Sequence, residues 1–526
     1  MMLFSSDLGE AMGRKKLPIG IQTFATIRGG DYYYVDKTGH AMQVAEGRTC
    51  FLSRPRRFGK SLFLDTLAEM FAGNRALFEG LACYDVWDWD TVYPVVRLGF
   101  AEGVLTDQAA LDERIVVQLE RNAERLGLGP VPDYRIPDRF IWLIQEAEKV
   151  HGQQVVVLVD EYDKPILDNL GNPDRAAQMR DGLRDVYSVL KGQEAHLRFV
   201  MLTGVSKFSK VSIFSGLNNL EDITMSPRYS AVCGYTEDDL DTVFAPELEG
   251  LDRDKVREWY NGYNWRGQAV YNPFDLLLLF REKEFGYYWF ESATPTFLVE
   301  MLTQRRSYLP RLADLEASQT QLSTFDVGNL STVALLFQTG YLTIDLARSD
   351  PPDVYRLRYP NAEVRTSLAG ALLDHLRPMD ESAAGTGPTA LRRLLADADF
   401  VRLRQYVSAM FSGIPTNWHM TNDIERFEGY YASVFYAYFA AAGLTVITED
   451  ASSTGRVDMT VLTATRIFVF EFKVVPPAPV GSAIAQIEEK RYADKYLAEG
   501  LPVYQVGVEF SVETRNIVTF DVKQVA

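Results

Sequence analysis

Apolar residues along this chain change their spacing several times, and each change marks an element. Phe51-Leu52 belong to a short apolar strand that ends in a turn, and from Leu62 to Phe71 apolar residues recur at helical spacing. Val95–Phe100 predicts a second strand, and Asp107–Arg125 and Asp138–His151 predict helices. Val155–Val159 is wholly apolar and β-branched apart from Leu158; a helix is expected over 174–191, and Leu197–Leu202 reads as another buried strand. Near-continuous apolar strands separated by helices predict a parallel sheet covered on both faces. Ahead of it, Ile19–Ile27 and Tyr32–Val35 read as extended pieces around the turn Arg28-Gly29-Gly30-Asp31, followed by a helix over 38–46 capped by Thr38.

Residues 235–400 read as mainly helical. Thr236 and Asp239 suit a capped helix start, and the aromatic turns at 259–263 and 271–274 suit either a lid or plain packing. A helix at Ser331–Gln338 precedes strands Tyr341–Asp345 and Val354–Tyr359, a helix-plus-hairpin pattern like a winged-helix fragment, with Arg356 and Arg358 as its phosphate-contact candidates. Glu381–Pro388 has the composition of a linker. After it come a helix near 423–442, strands at 445–449, 456–462 and 467–474, a helix at 482–499 and a strand at 503–508. The expected division is 1–234, 235–400 and 401–526.

Composition narrows the class. The chain has 526 residues, 47% hydrophobic and 24% charged, which is ordinary for a globular protein of two to four domains. A net charge of −17 argues against coating nucleic acid by bulk charge, while leaving a local basic groove open. Three scattered cysteines and five unclustered histidines predict neither a disulfide framework nor a zinc site. The first residues lack the apolar core of a signal peptide, and the apolar stretch Val434–Ile447 is too short to span a bilayer. A soluble cytoplasmic protein without a membrane partner is expected.

The first chemical signal is Phe51–Ser61, FLSRPRRFGKS. A strand, a turn ending Gly59-Lys60-Ser61 and a helix make the context of a phosphate-binding loop, where amides and a lysine collect phosphate oxygens and a hydroxyl holds Mg²⁺. The usual first glycine is replaced by Arg54, so the loop should be stiffer and more cationic than most, with Arg56 or Arg57 holding phosphate or a nearby acid. Pairing of both with surface carboxylates is the alternative. Asp160 closes a buried strand and is expected to order Mg²⁺ and its water, with Glu161 as general base. Thr203, ending the next strand, suits a sensor of the γ-phosphate. An Asp-Glu turn with no chemistry is the alternative, and the spacing to the loop favours the site.

These motifs resemble the AAA-ATPase-like proteins of bacteria. Their phosphate loop reads R-P-R-R-F-G-K-S, and they carry stretches like Tyr34-Val35-Asp36-Lys37-Thr38, Asp160-Glu161-Tyr162-Asp163 and Leu202–Phe208 with Leu217–Leu220. The resemblance covers most of the chain, and its version of the loop includes the arginine at 54. It implies an α/β fold: a P-loop NTPase parallel sheet, a helical middle region and a C-terminal PD-(D/E)XK restriction-endonuclease-like α/β domain.

The C-terminal segment carries its own chemistry. Asp458 stands on one strand and Glu471-x-Lys473 on the next, and alternation puts Glu471 and Lys473 on one face with Phe470 and Phe472 on the other. Converging carboxylates make a hard oxygen site for Mg²⁺ or Mn²⁺, and the lysine can orient the attacking water. Gln486 and Lys490, one turn apart on the next helix, can face the same cleft, and Glu428 is a weaker auxiliary candidate. A cross-strand salt bridge is the alternative reading.

Two functions compete. The first is an ATP-dependent or ATP-regulated nuclease acting on DNA or RNA. The second is a nucleotide-gated interaction protein whose nuclease fold is an inactive docking module. Oligomerisation would allow an arginine finger in trans, with Arg228 as a candidate.

Overall fold

The computed structural model describes residues 14–207, 220–293, 298–299, 301–302, 312, 315–323, 331–351, 353–376, 387–412, 424–475, 481–511, 513–514 and 516–525. The chain forms two compact units, Met1–Ala293 with Glu316–Asn361, and Thr294–Leu315 with Ala362–Ala526. Among the described residues no helix is long and apolar enough to cross a membrane.

The first unit is built on five strands, β1 (Thr49–Ser53), β2 (Val95–Gly99), β3 (Val155–Asp160), β4 (Leu197–Gly204) and β5 (Glu221–Asp222), in the order β2-β3-β4-β1-β5. Every pairing is parallel. Their runs of Val, Leu and Phe are buried because helices α3 (Lys60–Phe71), α4 (Gln108–Arg125), α5 (Ile136–His151) and α6 (Pro173–Gly192) cover the sheet, as strands without polar alternation require. The register pairs Ser53 with Gly204, Leu52 with Thr203, and Gly99 with Asp160, so the carboxyl ends of β1, β2, β3 and β4 align. Such an edge is where parallel sheets bind ligands.

The N-terminal segment departs from expectation. Helix α1 (Phe24–Gly29) replaces the extended piece, and helix α2 (Thr38–Ala45) follows. Phe24 and Ile27, three apart, are buried on one side of α1, and its first amide is taken by Asp65 Oδ2 of α3 at 2.6 Å. A cap supplied from 41 residues away leaves no local sequence signal. By contrast the capping box at Thr236 and Asp239 forms as its local spacing predicts.

The helix-plus-hairpin is present as α7 (Thr332–Thr339) with strands β6 (Thr343–Asp350) and β7 (Val354–Arg358). Its two arginines are engaged internally. Arg356 pairs with Glu316 at 2.6 Å, and Arg358 donates to the carbonyls of Tyr359 and Pro360. The expected linker falls outside the described residues up to 386, and Gly387-Pro388 open a helix that runs to Asp397.

The second unit carries a five-stranded mixed sheet: β8 (Thr445–Ser452), β9 (Gly455–Leu462), β10 (Ile467–Val475), β11 (Val503–Ser511) and β12 (Ile517–Gln524), in the order β12-β11-β10-β9-β8. Only β10 and β11 run parallel. Helix α8 (Ala362–Leu376) packs on α9 (Ile424–Ala441), whose Phe435 and Phe439 rings meet Phe472 and Phe470 at a tilt. On the other face Ile487 of helix α10 (Ser482–Lys490) packs with Ile467, Val469 and Val503.

The helix expected over 482–499 ends at Lys490. Arg491 turns left-handed at φ +55°, which carries Tyr492, Ala493 and Tyr496 into the core, where the apolar gain outweighs continuing the helix. Together these elements are an α/β architecture, with a P-loop-type parallel sheet in one unit and a PD-(D/E)XK-type mixed sheet in the other.

Candidate functional site

The phosphate loop leaves β1 at Ser53 and enters α3 through Gly59, whose φ of +89° suits glycine. Arg54 does not face the loop's open side. Its guanidinium is fully buried and donates to the carbonyls of Ser53 (2.8 Å), Thr224 (3.0 Å) and Tyr229 (2.9 Å), with Trp265 stacked at 4.1 Å. Among the described residues no carboxylate lies within salt-bridge distance of it, and burial pulls its pKa down to about 10. The glycine position is therefore filled by a tie to the core. The added cationic character at 54 is turned inward, where it ties the start of the loop to the core.

Neighbouring contacts pin the rest of the loop. Trp289 Nε1 donates to the Arg56 carbonyl at 3.0 Å, and Phe58 meets Tyr263 and Trp265 edge-on. Gly340, at φ +94°, lies so close to Pro55 that a Cβ would meet its Cγ at 2.7 Å. Lys60 is buried, and its ammonium donates to the carbonyls of Arg54 and Pro55, each at 2.9 Å. Burial lowers its pKa, and Asp160 and Glu161 oppose that shift. Arg56 lies 3.9 Å from Asp168, and Arg57, with φ +68°, lies over the Phe274 ring at 4.9 Å.

Across the sheet edge, Thr203 Oγ1 donates to Asp160 Oδ1 at 2.6 Å. Thr203 thus holds the acid on the neighbouring strand. Glu161 follows at φ +51°, a left-handed position that costs about 1 kcal/mol for a residue with a Cβ and turns the chain out of the sheet. Asp163 is buried and takes the amides of Val205 and Ser206 and the Ser206 hydroxyl, tying the ends of β3 and β4 together. Burial raises its pKa to about 6 against those hydrogen bonds and the charge of Lys60. No local sequence signal marks out Asp163, because its partners are some forty residues away.

Arg56, Arg57, Gly59, Lys60, Ser61 and Glu161 line one cleft of about 330 Å³. Tyr33, Tyr34 and Phe274 add aromatic wall to it. Asp160 and Ser61 line an adjoining cavity of about 360 Å³. Arg228 is half exposed and is occupied by Glu46 at 3.6 Å and Gln43 at 3.3 Å.

In the second unit the ladder between β9 and β10 ends at the pair Met459–Phe470. Asp458 sits just beyond, where Oδ2 takes the Phe472 amide at 2.7 Å. Its own amide lies 3.5 Å from Glu471 Oε2. Glu471 is buried, and Lys473 Nζ approaches its Oε1 at 3.1 Å while Gln486 Nε2 donates to the same oxygen. Burial first, and then the negative charge of Asp458, push the Glu471 pKa up, against the pull of Lys473. Asp458, Glu471, Lys473 and Gln486 are therefore brought together. Lys490 is exposed at the end of α10, where its carbonyl accepts from Thr454 Oγ1, and none of the described contacts joins its ammonium to the cluster. The side chain of Glu428 lies outside the described residues.

No three His, Cys, Asp or Glu among the described residues form a ready metal cage. The buried Glu471 carboxyl and the Asp458 charge beside it nevertheless fit a divalent cation, which would offset both the burial and the repulsion that disfavour ionisation there. Sequence reading missed Glu509, fully buried on β11, which accepts from the amides of Gly481 and Ala483 and from Ser482 Oγ at the start of α10. Burial acts to raise its pKa, but these bonds prevail and hold it below the usual carboxylate range. The available signal was Gly507 two residues earlier, since a glycine inside a buried strand marks a close backbone approach.

Two family models match. Residues 18–214 match a family described as predicted AAA-ATPase, and residues 426–520 match the PD-(D/E)XK nuclease superfamily. A protein of Azotobacter chroococcum mcd 1, described as an uncharacterized protein in the vnfD 5'region, is 57% identical over 97% of this chain and 99% of its own length. The chain therefore belongs to a family that joins a predicted AAA-ATPase domain to a PD-(D/E)XK nuclease superfamily domain.

Proposed function

We propose that the first unit binds and hydrolyses MgATP and that the second cleaves phosphodiester bonds of DNA or RNA with a divalent metal, Mg²⁺ or Mn²⁺. The observation that carries the reading is the cluster of Asp458, Glu471, Lys473 and Gln486. Asp458 and Glu471 would hold the metal of the second unit, and Ser61 and Asp160 that of the first. Divalent ions at these places supply Lewis acidity and a more acidic bound water.

The chain's own groups do the rest. Lys60 exchanges its two loop carbonyls for phosphate oxygens, and Arg57, which carries no carboxylate partner among the described contacts, adds a second cation from the same wall. Thr203 keeps the Asp160 carboxylate in place, and Glu161 takes the proton of the attacking water. In the second unit Lys473 orients the water and counters the negative charge that grows on phosphorus.

A nuclease panel of single- and double-stranded DNA and RNA, with and without ATP, tests the reading on wild type and Asp458→Ala in parallel. Metal-dependent cleavage that disappears in Asp458→Ala supports it. Equal cleavage by both proteins, or none under any metal, sinks the nuclease half.

One observation favours a second reading, a nucleotide-gated docking protein. Two of the three N–H donors of Lys60 are held by carbonyls of its own loop, so a ligand that draws on them would be felt by that loop. A nucleotide-dependent change in protease sensitivity, together with no cleavage of any nucleic acid, would select this reading.

A further inference from the structure

The carboxylate cluster depends on a helix whose placement is fixed elsewhere. Strands β10 and β11 run in parallel, with Glu471 beside Gly507 and Lys473 beside Glu509. Neighbouring strands lie about 4.8 Å apart, so these four residues form one small patch under the first turns of α10. Gly507 is the hole in that patch. A Cβ there would stand 2.5 Å from the Ile484 amide nitrogen and 2.9 Å from its Cα, so the backbone of α10 rests directly on the strand. Glu509 is the hook. Its two oxygens accept from Gly481 N (3.1 and 3.0 Å), Ser482 Oγ (2.6 Å) and Ala483 N (3.1 Å), and it is fully buried. Between hole and hook the helix has little freedom to slide or roll. Gln486 then reaches Glu471 while Ile487 fills the core.

We propose that Gly507 and Glu509 form a seat for α10 that sets Gln486 against Glu471, making Glu509 a positioning residue of the metal site. Glu509 touches neither carboxylate in the described contacts, so it acts through the helix. The inference rests on the reading that Asp458 and Glu471 hold a divalent cation. Groups that orient a metal's ligands typically change affinity by about 10- to 100-fold when removed.

The test measures Mn²⁺ affinity of the full chain by the electron paramagnetic resonance signal of free Mn²⁺, using wild type, Glu509→Ala, Glu509→Gln, Gln486→Ala and the double variant Glu509→Ala/Gln486→Ala. Exchange of backbone amides in 481–490 is followed in the same proteins. Glu509→Ala should weaken Mn²⁺ binding about 10-fold and speed exchange across 481–490. Gln486→Ala should weaken binding by a similar factor without changing exchange. The double variant should be no weaker than either single one, because both remove the same contact. Glu509→Gln keeps one acceptor oxygen and should fall between wild type and Glu509→Ala, which keeps the test open if the alanine variant does not fold.

Additive losses in the double variant would overturn the proposal, since they mean Glu509 acts by a route other than Gln486. Unchanged exchange in 481–490 in Glu509→Ala would overturn the seat itself. Wild type that binds no Mn²⁺ would overturn the metal reading and the role given to Gln486, while accelerated exchange in Glu509→Ala would still establish the seat as a packing feature.

Discussion

The two candidate sites solve opposite electrostatic problems. Around the phosphate loop the charges are already quieted: Lys60 rests on two carbonyls, Arg54 is tied to three, and Asp160 is held by Thr203. Around Glu471 the charge is left tense, because a buried carboxyl faces a second acid and draws on Lys473 and Gln486 for relief. A phosphate that recruits Lys60 competes with the Arg54 and Pro55 carbonyls. The carboxylate pair is instead poised to gain from a cation. In the proposed function the first site acts as a gate and the second as a trap.

Asp458→Ala should break the contrast most severely. It removes one arm of the trap and should reduce metal-dependent cleavage by about a thousandfold or more, leaving phosphate release from ATP unaltered in a parallel assay. Lys60→Ala should lower phosphate release by about a hundredfold and leave ATP-independent cleavage untouched. If either variant abolished both activities, the two sites would be one coupled machine and the comparison would fail.

A stability measurement probes Arg54. Replacing it with alanine leaves the Thr224 carbonyl without its donor, leaves the Tyr229 carbonyl to the Val232 amide at 3.3 Å, and empties the space over Trp265. A loss of about 3 kcal/mol is expected in denaturant unfolding of the first unit, because buried charged hydrogen bonds are worth about 1.5–3 kcal/mol each. A loss below about 0.5 kcal/mol would mean the tie is idle.

The tension at Glu471 has a pH signature. Its folded-state pKa is raised, so its contribution to stability is present below the unfolded value of about 4.3 and is lost as pH climbs towards neutrality. In chelator, the difference in unfolding midpoint between wild type and Glu471→Gln should therefore grow against wild type from about pH 4.5 upwards. Saturating Mg²⁺ should reverse that trend. A flat difference would show that neither burial nor the Asp458 charge penalises ionised Glu471 in the folded chain.

The smallest effects belong to the loop arginines. Arg57→Ala should weaken nucleotide binding by about threefold to tenfold, and Arg56→Ala by less, because Arg56 already leans on Asp168. Nucleotide affinity unchanged in both would confine them to packing.

What could be read from the chain follows the range of the forces involved. The apolar runs at 155–159 and 197–202 declare buried strands by themselves, so the ends carrying Asp160 and Thr203 could be placed from sequence. Alternation alone put Glu471 and Lys473 on the face away from the two phenylalanines, and the contacts of Phe470 and Phe472 with α9 agree. The role of Arg54 could not be read, since apart from the Ser53 carbonyl its partners lie 170 to 211 residues further on. Helix α1 was missed because Asp65 supplies its cap, and β12 because Ile517–Gln524 is defined by pairing to β11 more than by its own half-polar sequence. The break after Lys490 was missed because it depends on three residues finding the core together.

The two indoles against the phosphate loop have a practical consequence. Of seven tryptophans, Trp265 lies under the Arg54 guanidinium and Trp289 donates to the Arg56 carbonyl, and both are buried. Any movement of the loop on filling must alter the surroundings of these rings. The chain thus carries its own fluorescent gauge of the gate, readable without a label, and replacing Trp265 or Trp289 with phenylalanine in turn would tell which side of the loop moves.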